Sequence, residues 1–359
     1  MNTTLQPEPL IEQTEPVIEQ PVTSVVVEAP EPIQRRLFRP HTIASFAIAI
    51  AIIILLVNRL NINLSAVWDN ISRANPWYFS AAVILYYLTF IARTYRWRYM
   101  LKQAGITREN GYAVPGIPGL FEIMMLSWFA NCVVPAKLGD GYRCYLLKRD
   151  AGAPASATLG TILAERITDL TVLFVAMSAA GVLTFHGNLP SRVQQTVMIG
   201  GILLVFAIVV LVALFFARDF VQRFVPDRFV RHYHDFHDAV FACLRQPAIP
   251  VMVSVGIWIA DGFRLFLVAR SLGADLTITL TVFVALMSAL LTTLPITPAG
   301  LGVVEAAVVV VLKLVDVHAD LASSIAVLDR VIGYWSLIAF GLLLYLHRMR
   351  RDVRVARAA

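Results

Sequence analysis

Carboxylates and guanidinium groups sit in this chain where a membrane-embedded segment should avoid them. Glu165, Arg166 and Asp169 lie in the apolar run 157–185, and Asp261 and Arg264 in the run 248–269. Each costs roughly 2.5–3.5 kcal/mol on insertion scales, so each needs a partner or a wet cavity. Glu165 and Asp169 are four apart and share a helix face, while Arg166 is turned away from them and is free to pair across to another helix. Asp261 and Arg264 are three apart and can neutralise each other. Asp140 and Glu305 each follow a break in an apolar segment. A helix restarts there, where an acid caps free N–H groups and complements the dipole. The same helix starts attract phosphate when no acid neutralises them. Lys137, Arg143 and Arg96 add cations near the first break. Arg166 and Arg330 complete a set of cations suited to an anionic phosphate headgroup, with the two breaks acting as one site. Plainer roles compete for the same residues: a buried ion-pair network that fixes helix packing, helix caps at Asp140 and Glu305, and ordinary anchoring on the cytoplasmic side by Lys137 and Arg143.

No catalytic constellation accompanies these charges. The sequence has no phosphate-binding P-loop, HExxH motif or dinucleotide fingerprint, and no credible Ser–His–Asp spacing. No cofactor or metal is expected. His232, His234 and His237 read as a solvated helix face, since no Cys pair or zinc-protease spacing supports a metal site. Cys132, Cys144 and Cys243 are scattered and suggest no disulfide framework. Asn63-Leu64-Ser65 and Asn70-Ile71-Ser72 fit the glycan acceptor pattern, which is short and common. The net charge of +6 is not a nucleic-acid signal, because the basic residues cluster beside apolar runs.

The elements that must position these residues are transmembrane helices. The chain is 58% hydrophobic and 15% charged, against about 25% charged in a soluble domain. Residues 1–39 form a disordered tail rich in Pro and Glu that ends in a basic flank. Residues 40–346 form the membrane domain, and 347–359 a basic cytoplasmic tail. Six spans are expected, near 42–57, 77–92, 157–185, 197–217, 248–269 and 323–346. Residues 217–247 make a cytoplasmic amphipathic segment that lies on the membrane surface. Two shorter apolar segments, 120–134 and 276–315, carry the breaks. Pro135 and Gly139 follow the first; the second contains Pro295, Pro298, Gly300 and Gly302. Broken backbone survives in lipid only when buried in protein or lining a cavity. Flanking charges make both segments re-entrant hairpins, one entering from each face, with both chain termini in the cytoplasm. Opposite entry suggests an inverted repeat. The order Arg96, Asp140, Glu165-Arg166 matches Arg264, Glu305, Asp329-Arg330. From Asp140 to Glu165 is 25 residues, and from Glu305 to Asp329 is 24.

Four stretches taken together resemble the membrane region of lysylphosphatidylglycerol synthases, the flippase-like domain family. They are Arg93-Thr-Tyr-Arg96-Trp97-Arg98, Pro135-Ala-Lys-Leu-Gly139-Asp140-Gly-Tyr-Arg143, Glu165-Arg166-Ile-Thr-Asp169 and Thr297-Pro298-Ala-Gly300-Leu-Gly302-Val-Val-Glu305. The resemblance covers about residues 40–346. It implies a multispan inner-membrane protein that moves, or helps present, a lipid-linked headgroup. Ala299 stands where the family has the first of two glycines; a left-handed backbone there would be strained unless Gly300 supplies the freedom. Asp140 replaces the commoner Glu. The synthases carry a soluble catalytic domain after the membrane region, and this chain stops about a dozen residues after its last expected span.

The expectation is a cell-membrane lipid flippase or headgroup transporter without its own catalysis. Its partner is a membrane lipid with an anionic phosphate headgroup. Two alternatives stand beside it: a membrane-embedded transferase using Asp140, Glu165 or Glu305 as base, and a non-transporting partner of a lipid-modifying or glycosyltransferase enzyme.

Overall fold

The computed structural model describes residues 40–60, 62–133, 138–185, 191–216, 226–292 and 297–358. All regular structure among them is helical. The chain runs through α1 (Pro40–Arg59), α2 (Leu64–Ser72), α3 (Pro76–Gln103), α4 (Ile117–Val133), α5 (Leu138–Ala151), α6 (Ala155–Phe185) and α7 (Ser191–Phe216). It continues through α8 (Asp227–Arg245), α9 (Ala248–Ser271), α10 (Ile278–Leu291), a 3-10 turn (Pro298–Gly300), α11 (Val303–Lys313) and α12 (Ala319–Arg330). A π-helical segment, Val331–Ser336, joins α12 to α13 (Leu337–Ala358). The disordered tail expected over residues 1–39 lies outside the described residues.

Among the described residues, three helices are long and apolar enough to cross a membrane: Ala155–Phe185, Ala248–Ser271 and Ala319–Arg354. Ile50–Arg59 and Leu64–Ser72 form a fourth candidate only as a pair bent by 100°. α3 has the length of a span, with 28 residues, but carries Arg93, Arg96 and Arg98. Its apolar count therefore stops early, although the helix does not. α2 was not expected. It forms because Asn63 caps it, accepting from Ser65 N and Ala66 N at 3.1 and 3.3 Å.

The molecule is apolar outside and charged within. Ile202, Val205, Phe206 and Val209 of α7 are exposed, as are Met252 and Ile259 of α9 and Leu343 of α13. Patches this large on a soluble protein would be a binding or aggregation surface; on a membrane protein they meet lipid. Meanwhile Arg93, Arg96, Arg143, Glu165, Asp169 and Arg264 are buried.

The most extensive helix packing is between α3 and α9, which run antiparallel. Tyr86 faces Arg264, Arg93 faces Asp261 and Arg96 faces Ser254. Each broken segment packs across the bundle: α4 against α13, and α10 against α6. Two ends are pinned separately. At one, Arg348 of α13 bridges Glu122 of α4 and Asp150 of α5, and Gln103 Nε2 donates to Gln246 O. At the other, Asn63 N donates to Asp320 at 2.8 Å, Asn70 Nδ2 to Ser324, and Asn75 N to Ser271 O. Asn63 and Asn70, the glycan candidates, thus serve as a cap and a tie.

α8 is amphipathic as expected, but its apolar face is covered by protein rather than free to lie on lipid. Ala239, Val240 and Cys243 are buried where α8 packs on α6 and, less extensively, α3. Gly160 of α6 permits the approach, since a Cβ there would stand 2.5 Å from Phe236 O.

Candidate functional site

Two ion-pair clusters lie along the α3–α9 seam. The first gathers Arg96, Arg143, Glu165 and Asp169, all buried. Arg96 Nη2 donates to Glu165 Oε1 at 2.8 Å and to Asp169 Oδ2 at 2.9 Å, and its Nη1 reaches Asp169 and Ser254. Ser254 Oγ donates onward to Asp169 at 3.0 Å. Arg143 Nη1 donates to the other Glu165 oxygen at 2.9 Å, and its guanidinium lies 3.8 Å from the centre of the Trp97 ring. The helix face shared by Glu165 and Asp169 makes this possible, because both point at Arg96 one helix away. Arg166, on the neighbouring face, pairs with Asp140 through two nitrogens, at 2.7 and 3.2 Å. Both oxygens of Asp140 face Arg166.

The second cluster is built from the same parts in the other half. Arg264 pairs with Asp329, as Arg96 pairs with Glu165. Arg330 Nε lies 3.0 Å from Glu305 Oε1, as Arg166 pairs with Asp140. Glu305 is also a cap, accepting from Gly302 N at 2.6 Å. Asp261 takes Arg93 Nη2 at 3.2 Å and lies 3.6 Å from Arg264 Nε.

The second break is a left-handed turn. Ala299, Gly300 and Gly302 have φ of 49°, 71° and 84°. Ala299 therefore adopts the strained conformation itself and does not leave it to Gly300. Its carbonyl accepts from Arg330 Nη1 at 3.3 Å, which ties the turn to the charge cluster. Pro298 opens the turn. Lys137, Pro135 and Pro295 lie outside the described residues.

The two clusters are stacked rather than merged. Among the described residues, no ion pair joins Arg330 or Glu305 to Arg96, Arg143 or Arg166. Arg93, one turn from Arg96, leans across to Asp261 and links the two levels. Ser254 and Arg264 are ten residues apart on α9, on the order of 15 Å of helix rise, about half a hydrocarbon core.

A cavity of about 130 Å³ opens at the second cluster. Arg93, Asp261, Arg264, Asp329 and Arg330 line it, with Tyr86, Trp128 and Trp258. Arg93 lies 4.9 Å from the Trp128 ring and 5.5 Å from the Trp258 ring. Tyr86 donates to the carbonyl of Gly333, in the π-helical segment, at 3.1 Å. Sequence reasoning found Asp261 and Arg264 as a pair and Asp329 as a repeat landmark, but not Arg93, Trp128 and Trp258 as walls. Arg93's position one turn before Arg96 was the available signal; the tryptophans carried none, being ordinary in an apolar segment. Among the described residues no group of three His, Cys, Asp or Glu side chains is placed to hold a metal ion.

A helical membrane protein with a charge-lined cavity inside an apolar shell is the class these features define. The chain belongs to the lysylphosphatidylglycerol synthase TM region family, whose profile matches residues 43–341. It is 30% identical over 219 residues to a UPF0104 membrane protein of Methanocaldococcus jannaschii, covering 60% of this chain and 93% of that one. A UPF0104 membrane protein of Methanothermobacter thermautotrophicus is 22% identical over 318 residues, covering 82% and 92%. The glycosyltransferase AglD of Haloferax volcanii is 24% identical over 344 residues, covering 84% of this chain but only 53% of AglD.

Proposed function

We propose that this protein moves a lipid-borne polar headgroup across its membrane, holding it in the cavity between Arg93, Asp261, Arg264, Asp329 and Arg330. The observation that carries the reading is a cavity lined by five charged side chains inside a body whose outer surface is apolar. Acyl or prenyl chains remain in lipid while the headgroup enters. The first cluster, with Arg96, Asp140, Arg143, Glu165, Arg166 and Asp169, is the matching station at the other depth.

The finer topology belongs to the same proposal: six spans, two re-entrant hairpins and an inverted repeat. It is supported by the paired geometry, Arg96–Glu165 with Arg166–Asp140 in one half and Arg264–Asp329 with Arg330–Glu305 in the other. It is also supported by where the broken segments begin and end. Glu122 near the start of α4 and Asp150 near the end of α5 meet the same Arg348. α10 begins soon after Ser271 and α11 ends shortly before Asp320, both at the opposite end. Matched broken segments mark substrate sites in repeat-built transporters.

A second reading is that the domain presents a lipid to a transferase. The half-length match to glycosyltransferase AglD favours it. Reconstituted vesicles containing only this protein separate the two. Transport predicts that labelled lipid changes leaflet in those vesicles and that Arg264→Ala or Glu305→Ala abolishes the exchange. No exchange with the parent protein, across neutral, zwitterionic and anionic lipids, defeats transport and leaves the presenting role.

A further inference from the structure

The cavity's own chemistry speaks to what it holds, given that it is a headgroup site as proposed above. Three arginines, Arg93, Arg264 and Arg330, and two acids, Asp261 and Asp329, line it; a third acid, Glu305, stands outside the lining and pairs with Arg330, so that every one of the six is in an ion pair. The formal charge of the set is zero. An occupant with a net charge would add an uncompensated charge to a poorly solvated space. The arrangement therefore disfavours the anionic phosphate headgroup expected from the sequence.

Hydrogen-bond capacity is mixed. Four buried donors on the lining residues have no hydrogen-bond partner among the described residues: Arg264 Nε, Arg330 Nε, Arg330 Nη2 and Trp258 Nε1. The two Nε groups stand beside carboxylates, which leaves Arg330 Nη2 and Trp258 Nε1 open. Ser288 Oγ donates to Val284 O at 2.7 Å and Thr292 Oγ1 to Ala289 O at 2.6 Å, so both offer only lone pairs to the cavity they line. The occupant must accept from two donors and donate to hydroxyl and carboxylate oxygens. Hydroxyl groups do both; a phosphate diester only accepts. Trp128 and Trp258 add apolar ring surface to the lining, beside the Arg93 guanidinium that lies over both rings. The volume, about 130 Å³, is below the roughly 150 Å³ of an engineered cavity that takes one benzene ring, so one ring with part of its substituents is the most it encloses.

We infer that the cavity recognises an uncharged polyhydroxylated ring, a single sugar carried on a lipid. Its hydroxyls bridge the unpartnered donors and the hydroxyl and carboxylate oxygens, and its C–H face packs on tryptophan.

The test measures binding apart from transport. Purified protein in detergent is titrated with short-chain monoglucosyl diacylglycerol, short-chain phosphatidylglycerol, short-chain phosphatidylcholine and free glucose, following tryptophan fluorescence and melting temperature. The glucosyl lipid should bind tightest. Trp258→Phe keeps the ring and loses the donor, and should weaken the glucosyl lipid by up to about tenfold. Asp329→Asn leaves a net positive cavity and should shift preference toward phosphatidylglycerol. Tighter binding of the phosphatidylglycerol or phosphatidylcholine by the parent protein overturns the inference. So does a glucosyl-lipid affinity untouched by Trp258→Phe. If Asp329→Asn does not fold, the parent and Trp258→Phe titrations decide alone. Free glucose binding as well as the glucosyl lipid overturns the lipid-borne half. Glucosyl-lipid binding without leaflet exchange upholds this inference and defeats the transport reading; exchange of charged lipids without it does the reverse.

Discussion

At the scale of single residues, burial decides which charges matter to the fold. Glu165 joins Arg96 and Arg143, and all three are nearly solvent-free. Removing its carboxylate leaves two buried guanidinium groups short of a partner, which costs about 3–5 kcal/mol in comparable pairs. Asp140 and Arg166 are 18% and 33% exposed, so their pair is partly screened and worth closer to about 1 kcal/mol. Denaturant unfolding of Glu165→Ala and Asp140→Ala should show that ranking, and equal losses would contradict it. The turn gives a second contrast. Ala299 has φ 49°, so Ala299→Gly relieves strain of about 1 kcal/mol against a comparable loss of chain entropy, and stability should change by less than about 1 kcal/mol. At Gly300, φ is 71° and an added Cβ would stand 2.8 Å from Val304 Cγ2. Gly300→Ala should lower the melting temperature clearly where Ala299→Gly does not. These charges were legible in the sequence because ionisable residues in apolar runs announce themselves. Their partners were not: pairing of Asp140 with Arg166 depends on how α5 packs on α6.

At the scale of elements, the sequence pattern located the apolar segments and the breaks, and it failed where tertiary packing overrides composition. α3 continues to Gln103, well past the expected boundary at Ala92, because Arg93 and Arg96 are neutralised by α9 and α6 and need not leave the protein, while Arg98 is exposed. α2 was hidden because Asn63-Leu64-Ser65 serves as a helix start, a pattern that also reads as a glycan acceptor. α8 was legible as amphipathic, but what covers its apolar face was not. That face has a measurable consequence. Burial pushes the Cys243 thiol up from its ordinary 9.0 to about 12, and its Sγ donates to Met100 O at 3.4 Å. A thiol with a higher pKa folded than unfolded contributes stability that is complete below its ordinary 9.0 and is lost as the pH rises toward 12. At pH 8 Cys243 should resist alkylation in folded protein and react after unfolding, read by peptide mass spectrometry. Gly160→Val, which pushes on the Phe236 carbonyl, should loosen α8 and make Cys243 reactive without denaturant. Full alkylation of the parent protein at pH 8 would mean that α8 does not stay docked.

At the scale of the whole molecule, the two pinned ends define two faces, and charge assigns them to compartments. Glu122, Asp150, Arg348 and the neighbouring pair Arg149–Asp352 share one end. That end also holds Arg348, Arg350, Arg351 and Arg354 of the last helix, and the loop with Arg108 follows the end of α3. Asn63, Asn70, Asn75 and Asp320 share the other end, where residues 60–76 hold Arg73 as their only cation. Loops rich in Lys and Arg stay in the cytoplasm, so the Arg348 end should be cytoplasmic and the Asp320 end outside. In sealed cells, single cysteines at the exposed positions Asp69, Glu109 and Arg351 test this with a membrane-impermeant thiol reagent. Asp69→Cys should label in intact cells, whereas Glu109→Cys and Arg351→Cys should label only after permeabilisation. The buried native thiols, Cys132, Cys144 and Cys243, give the background. Labelling of Arg351→Cys together with Asp69→Cys in intact cells would place both ends of the bundle on one side. The last helix would then not cross, and the six-span arrangement would fail with it.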